Sequence, residues 1–151
     1  DVQVENGSGL SRGERAKPRA LAHLLANAWH APQLREFLLS LPVAGMDGTL
    51  QHRMQGTAAE GHAFLKTGTL LDTRALAGYV QAASGKIYAV PMIVNHPDAA
   101  RAPPALDRFI EWIARSCLER SALLPWMGTT CFGSASLTIS ISSGSRAWAC
   151  E

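Results

Sequence analysis

Residues 63 to 95 constrain the fold more than any other part of the chain. They hold three apolar runs, "AFLKTGTL", "ALAGYVQAA" and "IYAVPMIVN", and only Ser84-Gly85-Lys86 separates the core of the second from the third. Runs of this length, bounded by turn residues, read as strands, and so short a connection can join only antiparallel neighbours. The stretch therefore predicts an antiparallel meander. Pro91 falls inside the third run. Proline has no N–H to give the ladder, so that position belongs at an edge, a bulge or a strand start.

Helical periodicity frames the meander on both sides. Pro18 opens "PRALAHLLANAW", where Leu21, Leu24, Leu25 and Ala28 recur at helical spacing. Pro32 opens "PQLREFLLSL", with Leu34, Phe37, Leu38 and Leu41 on its apolar face, and Pro42 closes it. After "HPDAARAPP", the segment "ALDRFIEWIARS" places Leu106, Phe109, Ile110 and Ile113 on one face. Strands followed by such a helix predict an α+β fold in which the helix covers the sheet. The glycines of "NGSGLSRGE" and "AGMDGTL" mark a loop and a turn.

With 47% hydrophobic and 17% charged residues in 151, the chain has material for one core. The net charge of +2 is scattered and lacks the like-charge run of a phosphate-tracking surface, so no nucleic acid is expected as a partner. No transmembrane segment is expected either, since no apolar run reaches the ~18 to 20 residues that span a bilayer. The chain starts at "DVQVENGSGLSR" without a methionine or the charged-then-apolar order of a secretory signal, and it reads as the C-terminal part of something longer. Beyond Ser116 the only charges are Glu119, Arg120, Arg146 and Glu151. Residues 117–151 thus read as a divergent low-charge tail, in which "ASLTISISS" fits an added strand or an aggregation-prone extension.

Metal chemistry has little support. Cys117, Cys131 and Cys150 form no Cys-x-x-Cys pair and read as free thiols, with a Cys131–Cys150 bridge as the alternative. His23 and His30 lie seven apart without further ligands at matching spacing, and His52, His62 and His96 fall in turns or at strand ends. Asp47 and Asp72 adjoin turn residues, where carboxylates bend or cap the backbone.

The first run carries the chemistry. Lys66-Thr67-Gly68 sets an ammonium and a hydroxyl on a strand, next to a residue with no side chain to keep a ligand from the backbone. An edge of this kind suits an extended peptide ending in a carboxylate: the main chain pairs with it as an added strand while Lys66 and Thr67 attract the anion. An exposed strand lysine is the plainer reading of the tripeptide alone.

The wider context is more specific. "SGLSR", then "LPVAGMDGTLQHR", then "KTGTLLDTRALAGYVQAASGKIYAVPMIVNH" resembles the class C low-molecular-weight penicillin-binding proteins, the D-alanyl-D-alanine carboxypeptidase/endopeptidase family of serine peptidases, over residues 1 to about 116. The resemblance implies the C-terminal half of a penicillin-recognising serine-transferase fold. It also implies three convergent motifs: a Ser-x-x-Lys with nucleophile and base, a Ser-x-Asn that relays a proton, and a Lys-Thr-Gly on the edge strand. By that resemblance Lys66 tunes the second-motif serine, Thr67 and Gly68 receive the substrate, and the Thr69 N–H forms half of an oxyanion hole.

Ser11, after its Gly-Ser-Gly-Leu lead, stands where the resemblance places the relay serine, but Gly13 and Glu14 occupy the positions where an asparagine is expected. A carboxylate has no donor to offer a substrate carbonyl. The Ser-x-x-Lys is absent. The lysines are Lys17, Lys66 and Lys86, and three residues before them stand Glu14, Ala63 and Ala83. The implied partners are a peptidoglycan stem peptide, β-lactam inhibitors and the missing N-terminal part of the fold. The implied location is the periplasm, and no cofactor is called for. A nucleophile-less module that binds peptidoglycan peptides, or a non-functional fragment, is the alternative reading.

Overall fold

The computed structural model describes residues 2–8, 11 and 13–116. The readings of the three cysteines and of the "ASLTISISS" strand lie outside the described residues. A short hairpin of β1 (Val2–Gln3) and β2 (Arg15–Ala16) leads into helices α1 (Pro18–Ala28) and α2 (Leu34–Leu39). A 3-10 turn, Gly48–Leu50, follows, then β3 (Ala63–Thr69), β4 (Thr73–Gln81), β5 (Ile87–Asn95) and, past a second 3-10 turn, α3 (Pro103–Arg115). The meander is antiparallel in the order β3-β4-β5, and the α+β architecture follows from it.

The backbone polarity of each strand can be traced from one edge to the other. Leu65 donates to the Pro42 carbonyl at 2.9 Å and Ala63 accepts from the Ala44 N–H at 2.9 Å, so odd-numbered residues of β3 turn their backbone groups away from β4. Antiparallel alternation carries this across the pairs Gly68↔Ala75 and Leu76↔Met92. Even-numbered residues of β5 face β4, and odd ones, Pro91 among them, face the outer edge. Proline therefore stands where the ladder loses no bond, as its place in the sequence requires.

At Gly78, β4 leaves no room for a side chain against the β3 backbone. Its φ is +153°, and a Cβ there would lie 2.0 Å from the Phe64 carbonyl oxygen and 3.0 Å from Leu65 Cα. No side chain fits that space. Gly85 serves the following turn with φ +77°, and the Ala82 N–H closes it on the Lys86 carbonyl at 2.9 Å.

Each face of the sheet has its own apolar cluster. Leu65, Leu76, Val90 and Met92 pack with Leu106, Ile110 and Ile113 of α3 and with Leu50 and Met54 of the 43–62 loop. On the opposite face Tyr79 and Ala89 pack with Leu25 of α1 and with Leu41. Phe109 is only partly buried, stacked on the exposed Trp112 with ring centroids 5.6 Å apart.

Two sequence expectations are corrected. Leu24 is 58% exposed, because α1 turns Ala22 and Leu25 inward. The second helix begins at Leu34, two residues after Pro32, and Phe37 stays at its surface, edge-on to the Tyr79 ring at 6.2 Å.

Candidate active site

The outer edge of β3 is covered for half its length by the chain itself. Val43 bridges to Phe64, flanked by the two hydrogen bonds that Pro42 and Ala44 make with Leu65 and Ala63. The covering segment then turns away. Asp47 Oδ1 accepts from the Val43 N–H at 2.6 Å, so this carboxylate bends the backbone as its turn position suggested, and Gly45 takes φ +73°. Thr67 and Thr69 lie beyond the reach of that segment. By the alternation of β3 both present their N–H and C=O groups outward, to an open edge.

Lys66 is exposed, and its Nζ donates to the outward carbonyl of Thr67 at 2.9 Å. The ammonium is thus folded over the open edge. Thr67 points to the other face, where its hydroxyl donates to Thr49 Oγ1 at 3.0 Å. A period of two puts the cation and the hydroxyl of adjacent residues on opposite sides of the sheet. Gly68 faces the same side as Lys66, and a Cβ on it would press to 3.2 Å from the Ala75 Cβ of the paired strand.

The Thr67 side opens into a cleft of about 200 Å³, lined among others by Thr49, Arg53, Thr67, Thr69, Arg74 and Leu106. Arg53 grips Asp107 of α3 with two hydrogen bonds, Nη2 to Oδ1 at 2.6 Å and Nε to Oδ2 at 3.2 Å. This bidentate pair ties the 43–62 loop to the helix. From β4, Arg74 Nη1 donates to the carbonyls of Thr73, at 2.8 Å, and of Leu70.

Of the residues singled out in the sequence, the structure brings Lys66, Thr67, Gly68 and Thr69 together at one open edge. Ser11 lies in the connection between the strands of the N-terminal hairpin. Its hydroxyl donates to the Glu5 carboxylate and accepts from the Gly13 N–H at 3.2 Å, and neither bond reaches β3. Thr49, Arg53, Asp107 and Arg74 were not anticipated. "MDGTL" reads only as a turn, and the Arg53–Asp107 pair joins residues 54 positions apart. Among the described residues no group of three or more His, Cys, Asp or Glu gathers as metal ligands, and no helix is long and apolar enough to cross a membrane.

Known proteins resemble this chain in sequence and in fold. The chain is 42% identical over 109 residues to the D-alanyl-D-alanine carboxypeptidase of Actinomadura sp. (strain R39), an alignment covering 69% of this chain and 20% of that protein. It is 38% identical over 124 residues to carboxypeptidase DacB of Mycolicibacterium smegmatis (strain ATCC 700084 / mc(2)155), covering 77% and 26% respectively. The chain therefore spans about a fifth to a quarter of the length of these relatives. Among solved structures, penicillin-binding protein 4 (dacB) from Haemophilus influenzae superposes with a TM-score of 0.53 at 25% identity, over 62% of this chain and 20% of that one. A predatory endopeptidase from Bdellovibrio bacteriovorus, solved with an immunity protein, shares the fold with a TM-score of 0.55 at 23% identity, over 75% of this chain and 31% of that one. Residues 1–116, the helices and meander with the open Lys-Thr-Gly edge, match the D-Ala-D-Ala carboxypeptidase 3 (S13) family, and the chain belongs to it.

Proposed function

We propose that this chain supplies the substrate-binding edge of a serine-type D-Ala-D-Ala carboxypeptidase/endopeptidase acting on peptidoglycan stem peptides in the periplasm, and inhibited there by β-lactams. The observation that carries this reading is the half-covered strand β3, closed at Leu65 and open at Thr67 and Thr69 with the Lys66 ammonium folded over the opening. A peptide adding to that edge meets outward backbone groups, a cation and a hydroxyl together.

In the reaction, a serine hydroxyl attacks the carbonyl of the penultimate D-alanine, and its proton passes to the departing amine. The C–N bond breaks, terminal D-alanine or a cross-linked partner leaves, and water then hydrolyses the ester to regenerate the hydroxyl. The nucleophile comes from a Ser-x-x-Lys outside these 151 residues, since the chain contains none. Lys66 stabilises negative charge near the relay serine, Thr67 and Gly68 receive the substrate, and the Thr69 N–H faces the oxyanion of the tetrahedral intermediate. The relay role of Ser11 rests on its Gly-Ser-Gly-Leu lead alone.

The test is labelling with a fluorescent penicillin. The chain alone should form no covalent adduct, whereas the complete polypeptide that carries it should be acylated. In that polypeptide Lys66→Ala should slow acylation by two orders of magnitude or more with the unfolding midpoint unchanged. Ser11→Ala should do the same for a relay serine, and only lower stability for a hairpin serine. A hydroxylamine-sensitive adduct on Ser11 of the isolated chain, or near-parental acylation by Lys66→Ala, would overturn the proposal.

A further inference from the structure

The cleft on the α3 side of β3 holds more recognition chemistry than the reaction above uses. Its two arginines differ in their surroundings. The Arg53 guanidinium is matched by the Asp107 carboxylate at 2.6 and 3.2 Å, so its field in the cleft is largely cancelled. Arg74 has no carboxylate partner among the described residues. Its Nη1 donates to the Leu70 and Thr73 carbonyls, which fixes the group in place without neutralising it, and Nε and Nη2 keep donors to spare. Arg74 is also the direct cross-strand partner of Thr69, whose backbone faces the open edge.

Thr49 adds direction. A hydroxyl has one hydrogen and two acceptor sites, and the Thr49 and Thr67 oxygens lie 3.0 Å apart. When an anion occupies the cleft it selects the arrangement in which Thr49 donates to Thr67 Oγ1 and Thr67 donates to the anion. Thr49 is held to this task from behind, because Arg53, four residues on, is locked to α3. A cleft of about 200 Å³ is small for a binding pocket and suits a compact anionic terminus.

We propose that Arg74 is a specificity-determining residue for the terminal carboxylate of the ligand and that Thr49 is a positioning residue acting through the Thr67 hydroxyl. This rests on the reading of β3 given above, and the two can fail separately. The experiment uses the complete polypeptide and two stem-peptide substrates that differ only in ending in a free carboxylate or a carboxamide.

Arg74→Gln should lower kcat/KM for the carboxylate substrate about 10- to 100-fold, the usual worth of a charge-assisted hydrogen bond, and for the carboxamide by less than about 3-fold. Arg74→Lys, which keeps the charge, should retain most of the preference. Thr49→Val should cost about 10-fold on the carboxylate substrate only, and Thr49→Ser should restore it. Equal losses on both substrates, or no loss on either, would overturn the proposal. Should Arg74→Gln not fold, Arg74→Lys and the Thr49 variants decide the matter by the same comparison. If Lys66→Ala abolishes acylation while Arg74→Gln leaves the preference intact, only the carboxylate assignment falls. If Lys66→Ala changes nothing, the reading of the strand falls first.

Discussion

Tyr79 is 2% exposed, yet it carries a phenol whose hydroxyl donates to the Leu25 carbonyl at 2.7 Å and whose ring lies 5.1 Å from that of Trp29. Burial pushes its pKa above the ordinary value of 10.0, because the phenolate would lose its hydration. The folded state therefore holds this proton longer than the unfolded chain does. The stabilisation is complete below the unfolded pKa and is lost as pH rises through the raised folded one. Tyr79→Phe should cost about 1 kcal/mol near neutral pH through the lost hydrogen bond. Above pH ~10 the parent should lose stability with pH more steeply than the variant, as urea unfolding across pH 7 to 11 would show; parallel slopes would refute it. Single residues differ in how far the sequence exposes them. Lys66, Thr67 and Gly68 are adjacent, so their shared strand was readable. Thr49 meets Thr67 only because the 43–62 loop folds back along the sheet edge, and Arg74 meets Thr69 only through the register.

At the scale of elements, periodicity served best where burial is one-sided and continuous. Of the α3 face read from spacing, Leu106, Ile110 and Ile113 are buried against the sheet, and Phe109 at its margin is buried only in part. It served less well in α1, where Ala22 and Leu25 are buried and Leu24 is left in solvent. Spacing alone cannot tell which of two overlapping apolar rows turns inward. The two-residue strands of the hairpin fall below any periodic signal. Glycine is the most exacting element-level residue here. Gly78→Ala drives a methyl group into the neighbouring backbone, with rigid atoms at 2.0 and 3.0 Å, and should cost roughly 3 kcal/mol. Gly85→Ala keeps a similarly unfavourable φ but has nothing within 4 Å of the added carbon, and should cost only about 1 kcal/mol. Thermal unfolding of the pair should rank them in that order; equal midpoints would mean that conformation, not contact, sets the cost at Gly78.

For the whole molecule the sheet edges matter most. Among the described residues no strand pairs with the outer side of β5, where Ala89, Pro91 and Ile93 point their backbone groups. A long apolar edge of this kind templates pairing with other chains, softened here only by the donor missing at Pro91. The isolated chain should therefore self-associate as its concentration rises, unless the "ASLTISISS" segment covers the edge. Sedimentation gives the first readout and amide exchange the second: in the uncovered state Ala89 and Ile93 should exchange faster than Val90, Met92 and Val94. A monodisperse monomer with slow exchange at Ala89 and Ile93 and fast exchange in the tail segment would contradict both outcomes. The opposite edge behaves differently, because Pro42 and Ala44 already occupy it as far as Leu65. They act as a buffer stop. A strand sliding in along β3 meets the outward groups of Thr67 and Thr69, with the Lys66 ammonium on the Thr67 carbonyl, and then runs into chain that is already seated. Only a short stretch of added strand fits between that stop and the turn that joins β3 to β4.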